Sequence, residues 1–479
     1  MSIFGIFSTG REALLAQQRA MNTTSNNIAN ANTPGYTRQR AIFTPTVPGY
    51  GPDGLPLGGG VRIDQVERVA DAALDAQLLR ERQDLAFDER MHTGLSRIEG
   101  IFNELDEGAG ISSALREFFQ SIQDLSSNPS GTTERQSVVE TALTLTERMR
   151  ENDRRLDQLQ TEANLSIERL AGEVNGIASE IASLNEQIRL AEISGGTAGS
   201  LRDVRQTALS ELGERIDFTA FERDNGQVAV FVAGGFLLID SAMAGQLEVR
   251  TRGAGSDPEF FEIYQNIGGS VSGPITSLIS SGEIGAQLQL RDTVVPSTRA
   301  QLDELAFTLA TEFNNRHDDG YGLVDNTQRN FFDPLGAVPG AASQITVSAT
   351  ILSEPGHIAA AGAEDGAGNP GAPGDNVNAL NMAALETAAV TFPVSGQTRS
   401  IPAFYDGFAG AIGADTRSAR LAAETRGFVV SELEARRATI SGVSIDEEVT
   451  NLMRYERAYQ ASARVISTVD ELLELLLSM

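Results

Sequence analysis

Apolar residues recur every seven positions at both ends of this chain. Near the N-terminus they are Phe7, Leu14, Met21 and Ile28. Near the C-terminus they are Ile445, Leu452, Tyr459, Ile466 and Leu473, with Tyr455, Val469 and Leu476 at the intermediate position and Ser462 as the gap. A seven-residue period holds one kind of side chain on one stripe of a helix and marks a coiled-coil seam. The N-terminal seam is thin, because its companion positions Gly10, Gln17 and Thr24 are small or polar. A helix with so narrow an apolar stripe must lie against something. The C-terminal helix opens with Ser444 ahead of Asp446, Glu447 and Glu448, a capping residue followed by acids that suit the positive helix end. From Ile445 to Leu477 it would run roughly 50 Å at about 1.5 Å per residue. Two arrangements satisfy these seams: the ends pair with each other, or each packs on its own neighbouring domain.

After the first helix comes Asn22-Thr-Thr-Ser-Asn26-Asn27-Ile28-Ala-Asn30-Ala-Asn32-Thr33-Pro34-Gly35-Tyr36-Thr37. Pro34 pushes Thr33 out of helical geometry and Gly35 permits a positive φ, so the helix must stop here. Asn disfavours helix interiors because its amide competes for the backbone. For any single Asn, capping of the helix end is the better reading. For the whole run of Asn22, Asn26, Asn27, Asn30 and Asn32, partners on neighbouring subunits are expected as well. This stretch resembles the N-terminal signature of the flagellar rod, hook and hook-associated family. The C-terminal stretch from Ser441 through Ile445 and Tyr455 to Glu471 resembles that family's other hallmark. The resemblance implies that the terminal helices pair into a coiled-coil inner domain lining a tubular assembly. It implies a structural role, with the hook protein, a second hook-associated protein on the filament side, copies of the chain in a ring and a cytoplasmic export chaperone as partners. It also implies export through the flagellar type III apparatus to a secreted, flagellar location.

Composition agrees with that expectation where it bears on it. The first twenty residues lack the basic and long apolar regions of a cleaved secretory signal, and no run approaches the roughly 20 apolar residues of a membrane span. The chain has 37 basic and 65 acidic residues, a net charge of −28, and every basic residue is arginine. Such a surface repels nucleic acid and anionic lipid. Cysteine is absent, which removes disulfides and thiolate chemistry together. His92, His317 and His357 lie far apart; His317-Asp318-Asp319-Gly320 reads as a polar helix-ending turn rather than a metal site. Asp365 and Asp375 lack the acid spacing of a calcium loop, and Gly58-Gly59-Gly60 lacks the strand-to-helix setting of a phosphate loop. No catalytic set, cofactor site or metal site is expected.

The 479 residues call for several packed units. The expected fold is mainly α with an inserted β domain. Residues 1–40 with 441–479 form the terminal inner domain. Residues 61–205, 285–330 and 376–440 form a bundle of long helices, on the apolar sets Val66, Val69, Leu74, Leu78 and Met149, Leu156, Ala163, Leu170, Ile177, Leu184, Ala191. Within them, helix is expected from Gly285 to Phe313 with a break at Pro296, from Val377 to Val390 and from Ala419 to Ile440. Residues 206–284 form a small β-rich outer domain, with a hairpin turning at Asp224-Asn225-Gly226. Residues 331–375 read as a loop-rich insertion with strands at 344–349 and a glycine-rich loop at 362–375. So large a helical layer resembles the hook-associated members of the family, which join hook to filament. A hook or distal-rod protein is the alternative within the family; an extracellular adhesin, or an enzyme carried on the tube, is the alternative outside it.

Overall fold

The computed structural model describes residues 3–46, 49–50, 56–57, 59–102, 110–193, 198–252, 260–325, 327–362 and 372–478. Helix α1 (Ile3–Ala29) ends five residues before Pro34, where the Asn-rich run closes into turns and Gly35 takes φ +80°. A ribbon follows: β1 (Gln39–Pro45) pairs antiparallel with β4 (Val61–Arg68), from Gln39↔Arg68 to Pro45↔Val61, with an irregularity between Ile42 and Phe43. Between them β2 (Gly49–Tyr50) pairs with β3 (Pro56–Leu57). Val66 therefore lies in a strand, and the helix read from it begins at Ala72 instead. The β-branched Val61, Ile63 and Val66 fit a half-buried pleated surface, and the i, i+3 spacing of Val66 and Val69 imitated a helix.

The long helices come next: α2 (Ala72–Phe102), α3 (Ile111–Ser127), α4 (Thr132–Ile193) and α5 (Gly199–Arg215). A loop at 128–131, carrying Pro129 and Gly131, separates α3 from α4. Along α4, Met149, Leu156, Ala163, Leu170 and Leu184 are buried as their spacing predicts, whereas Ile177 and Ala191 are only half-buried. Strands β5 (Phe218–Glu222), β6 (Val228–Val232), β7 (Phe236–Asp240) and β8 (Met243–Ala244) form one antiparallel sheet in that order. The first hairpin turns at Gly226, with φ +76°. Strands β9 (Gln246–Thr251), β10 (Phe261–Ile267) and β11 (Ser270–Pro274) form a second sheet, ordered β11-β10-β9. The last of these, polar and glycine-bearing, carried no strand signal.

Helix α6 (Gly282–Gln289) runs through a π-helical turn at Leu290–Val294 into α7 (Val295–Asp318). Pro296 thus widens the helix rather than breaking it: proline lacks a donor and its ring crowds the carbonyl four residues back, and a π turn relieves both. Short helices α8 (Ala341–Gln344), α9 (Ala349–Ser353) and α10 (Val377–Ala383) follow, α10 ending well before Val390. Val390 instead belongs to β12 (Val390–Thr391), paired with β13 (Thr398–Arg399). Helix α11 (Ile401–Ser441) starts far ahead of the expected Ala419, and α12 (Ile445–Ser478) completes the chain.

Contacts divide the chain into two units: 1–86 with 170–283 and 425–479, and 87–169 with 284–424. Helices α2, α4, α6 and α11 contribute residues to both. In the second unit Phe118, Phe119, Phe313, Phe331 and Phe332 pack in tilted and T-shaped contacts, with centroids 5.1 Å apart for Phe118–Phe313 and 4.9 Å for Phe331–Phe332. The stretch read as a loose insertion after Phe331 supplies Phe331, Phe332, Ile345, Val347, Ile351 and Ile358 to this core. In place of strands at 344–349 there is one bridge, Phe332 to Val347. Irregular backbone disguised a buried segment. Most of the glycine-rich loop, including Asp365, lies outside the described residues.

Candidate assembly site at the paired termini

Helices α1 and α12 pack against each other, and α1 also covers the β1–β4 ribbon. The two seams meet, but not through the large residues of α1. Among the described positions of α1, the buried ones are Gly10, Ala16, Ala20, Thr24 and Asn27. Phe7 is 38% exposed, and Leu14, Met21 and Ile28 are half-buried along the flank. Small residues in the seam allow close approach: a Cβ added at Gly10 would lie 3.0 Å from the Ile466 side chain. On α12, Val469 is buried and Leu452, Tyr455, Tyr459, Ile466 and Leu473 are half-buried on the inward stripe. Ile445 is 48% exposed, so it falls outside that stripe. Leu476 is helical; its side chain lies outside the described ones. Beneath the pair, Ala16, Ala20, Ala41 and Ile63 form a small core closed by Phe43 and Tyr455, whose rings are 5.8 Å apart.

The Asn-rich turn ties this pair together. Asn27, 1% exposed, uses its whole amide. Its Nδ2 donates to the Gln39 carbonyl at 2.8 Å and to Glu448 Oε2 at 3.0 Å, and its Oδ1 accepts from Gln39 N at 3.0 Å and from the Tyr36 hydroxyl at 2.8 Å. One side chain thereby joins the end of α1, the start of β1 and the first turn of α12. Glu448 is itself buried, at 4% exposure. Arg38 adds a second tie, donating to Glu447 Oε2 at 2.8 Å, while its backbone N–H donates to the Ser441 carbonyl. Asn27 is saturated within its own chain, so the expectation of partners on neighbouring subunits does not hold for it. Asn26 and Asn30 hydrogen-bond each other: Asn30 Nδ2 reaches Asn26 Oδ1 at 2.8 Å. Asn32 and Pro34 are exposed.

Helix α5 closes the site from the other side. Asp203 accepts from the Thr37 backbone N–H at 3.0 Å and from Arg68 Nε at 2.7 Å. Gly35 sits where a Cβ would meet Thr207 Oγ1 at 2.9 Å, so both its positive φ and its surroundings require glycine. Burial, together with the nearby charges of Asp203 and Glu448, pushes the Tyr36 hydroxyl up to about 12, which keeps it protonated as a donor to Asn27. Asp203 was not legible in the sequence: a lone Asp on a polar helix carries no signal. Glu448 was visible only as a first-turn acid.

His317, considered for a metal site, is fully buried, with Nδ1 2.6 Å from the Arg329 carbonyl and Nε2 accepting from Ala359 N–H at 3.0 Å. Both ring nitrogens are thus engaged by backbone.

The flagella basal body rod protein family matches residues 7–37, and the flagellar basal body rod FlgEFG protein C-terminal family matches 437–479. These are the two segments that Asn27 and Glu448 join. The flagellar hook-associated protein FlgK helical domain matches residues 95–332. The flagellar hook-associated protein 1 of Bacillus subtilis (strain 168) is 30% identical, over 99% of this chain and 97% of the relative. That of Escherichia coli (strain K12) is 24% identical over 99% of both. Among solved structures, the flagellar hook junction protein FlgK from Burkholderia pseudomallei superposes with a TM-score of 0.65 at 15% identity, covering 76% of this chain and 100% of that one.

Proposed function

This chain belongs to the flagellar hook-associated protein 1 family, and on that premise we propose that it joins hook to filament by docking its paired terminal helices into the axial tube. The supporting observation is the union of the two ends into one element whose apolar flank stays open. Phe7 and Leu15 on α1, and Met453, Val465, Leu472 and Leu475 on α12, are 38–62% exposed. So much uncovered apolar surface on one helix pair marks an association surface. The seam of Phe7, Leu14, Met21 and Ile28 with Leu452, Tyr455, Tyr459, Ile466, Val469, Leu473 and Leu476 holds the pair together so that this flank is presented for assembly, and the Asn26–Tyr36 turn fixes it.

In this reading residues 1–40 and 441–479 form the inner part, and 206–284 the outward β part. The hook protein lies on one side, a second hook-associated protein on the other, and further copies complete a ring. A cytoplasmic chaperone covers the apolar flank before export through the type III apparatus. The role is mechanical rather than catalytic. Among the described residues, no helix is long and apolar enough to cross a membrane.

Deleting the gene and imaging the cells tests the placement. Hooks without filaments, with flagellin released to the medium, are expected; missing hooks would move the protein to the rod or hook. Leu452→Asp tests the seam that holds the docking flank in place and is expected to give the same phenotype, so normal filaments from that variant would remove the seam from the mechanism.

A further inference from the structure

Strand β5 is the outer strand of its sheet and pairs with β6 alone, from Phe218↔Val232 to Glu222↔Val228. Successive residues of a strand direct their backbone groups to opposite edges. Arg223 N–H donates to the Gln227 carbonyl on the β6 side, so Phe218, Ala220 and Glu222 face away from β6. The outward groups of Phe218 are met by the Gln83 side chain, whose Nε2 donates to the carbonyl at 3.3 Å and whose Oε1 accepts from the N–H at 3.4 Å. An amide side chain here stands where a neighbouring strand would pair. Ala220 and Glu222 continue the row, and their outward N–H and C=O groups have no partner among the described residues.

The row opens onto a cleft of about 1020 Å³, at the upper end of the roughly 300–1,000 Å³ that holds small ligands. Its floor is apolar, with Ala72, Ala76, Leu79 and Leu209. Its acids are mostly committed: Asp75 to Arg437 at 2.9 Å, and Glu192 and Glu222 to Arg202. Arg68 is held by Asp203 at 2.7 Å. Arg80 on the same lining is exposed and makes no ion pair among the described residues. Exposed edge strands are normally blunted by charge, proline or a covering loop. The outward positions of β5 lack proline, and Phe221 on its open face is 62% exposed.

We propose that β5 accepts an extended, carboxylate-bearing segment of another protein, which adds to the sheet as a further strand and sets its acid on Arg80. Backbone pairing would supply affinity and the arginine would supply selectivity. This surface is separate from the terminal helices and does not depend on how they assemble.

The probe is a fluorescent acetyl-TVEVT-amide titrated by anisotropy against the full-length chain, with amide hydrogen exchange locating the contact. Binding with protection at β5 is expected. Ala220→Pro removes an outward donor while sparing the β6 ladder and is expected to weaken binding at least tenfold. Arg80→Glu is expected to do the same, and to bind acetyl-TVRVT-amide better than the native chain does. If Ala220→Pro perturbs the melt, a peptide N-methylated at alternate amides replaces it and is expected not to bind the native chain. No binding at millimolar peptide, or binding indifferent to these changes, overturns the proposal. Self-association of the chain alone, abolished by Ala220→Pro in sedimentation, would also overturn it by showing that a second copy occupies the edge.

Discussion

Asn27 is one of several buried or half-buried amides that pair with both the N–H and the C=O of a single backbone residue. Asn175 does this to Leu247, Asn185 to Val228 and Asn314 to Phe332. In a chain without cysteine, these clamps fix register where a helix meets a strand or loop, because each satisfies two backbone groups that burial would otherwise leave unpaired. Asn27→Ala would strand the Gln39 backbone, the Tyr36 hydroxyl and the buried Glu448 carboxylate together. A loss of about 3 kcal/mol is expected, read by denaturant titration, and a change below about 0.5 kcal/mol would show that water replaces the amide. His317 makes a pH prediction. Burial, the largest cause, lowers it from 6.5 to about 4, so the unfolded chain binds the extra proton first. Stability is full above pH 6.5 and falls as pH drops towards 4, by roughly 3 kcal/mol in all. His317→Gln is expected to flatten that slope between pH 6.5 and 4.5 relative to the native chain, as measured from urea midpoints.

At the scale of elements, α1 and α12 depend on each other. Neither carries an apolar stripe wide enough to be buried alone, and the helix pair seals a core of only a few small residues with the β1–β4 ribbon. Val469 is the most deeply buried apolar residue of the described α12 side chains, at 3% exposure. Val469→Asp places an unpaired carboxylate in that seam, at a cost of several kcal/mol. Hydrogen exchange should then show α1 and α12 opening together while Leu302, Leu305 and Leu309 of α7 keep their protection. Separate opening of the two helices would mean they are not one cooperative element. Gly10→Leu is expected to act in the same direction, since Ile466 already stands 3.0 Å from where a Cβ would be.

At the scale of the whole molecule, a net charge of −28 sets copies of the chain against one another. The Debye length shortens from about 30 Å at 0.01 M salt to about 8 Å at 0.15 M. Assembly of the proposed ring in vitro should therefore strengthen over that range of sodium chloride, as seen by sedimentation; weakening would point to attractive ion pairs between subunits. Removing residues 445–479 takes away the partner of α1 but none of the phenylalanine core around Phe118 and Phe313. The truncated chain is expected to keep a protease-resistant fragment from that unit and to fail to assemble.

The sequence by itself determined the two terminal seams, the stop after the first helix, the β5–β6 hairpin and the long register of α4. Each follows from periodicity or from local proline and glycine chemistry, which act within a few residues. Tertiary structure alone decided which stripe of α1 is buried. Gly10, Ala20 and Thr24 win over Phe7 and Leu14 because close approach to Ile466 and Tyr455 depends on the partner helix, not on α1. It also decided that the stretch after Phe331 is core, that Pro296 widens a helix, and that Asn27 meets Glu448. Those outcomes turn on side chains brought together across hundreds of residues, and no local pattern records them.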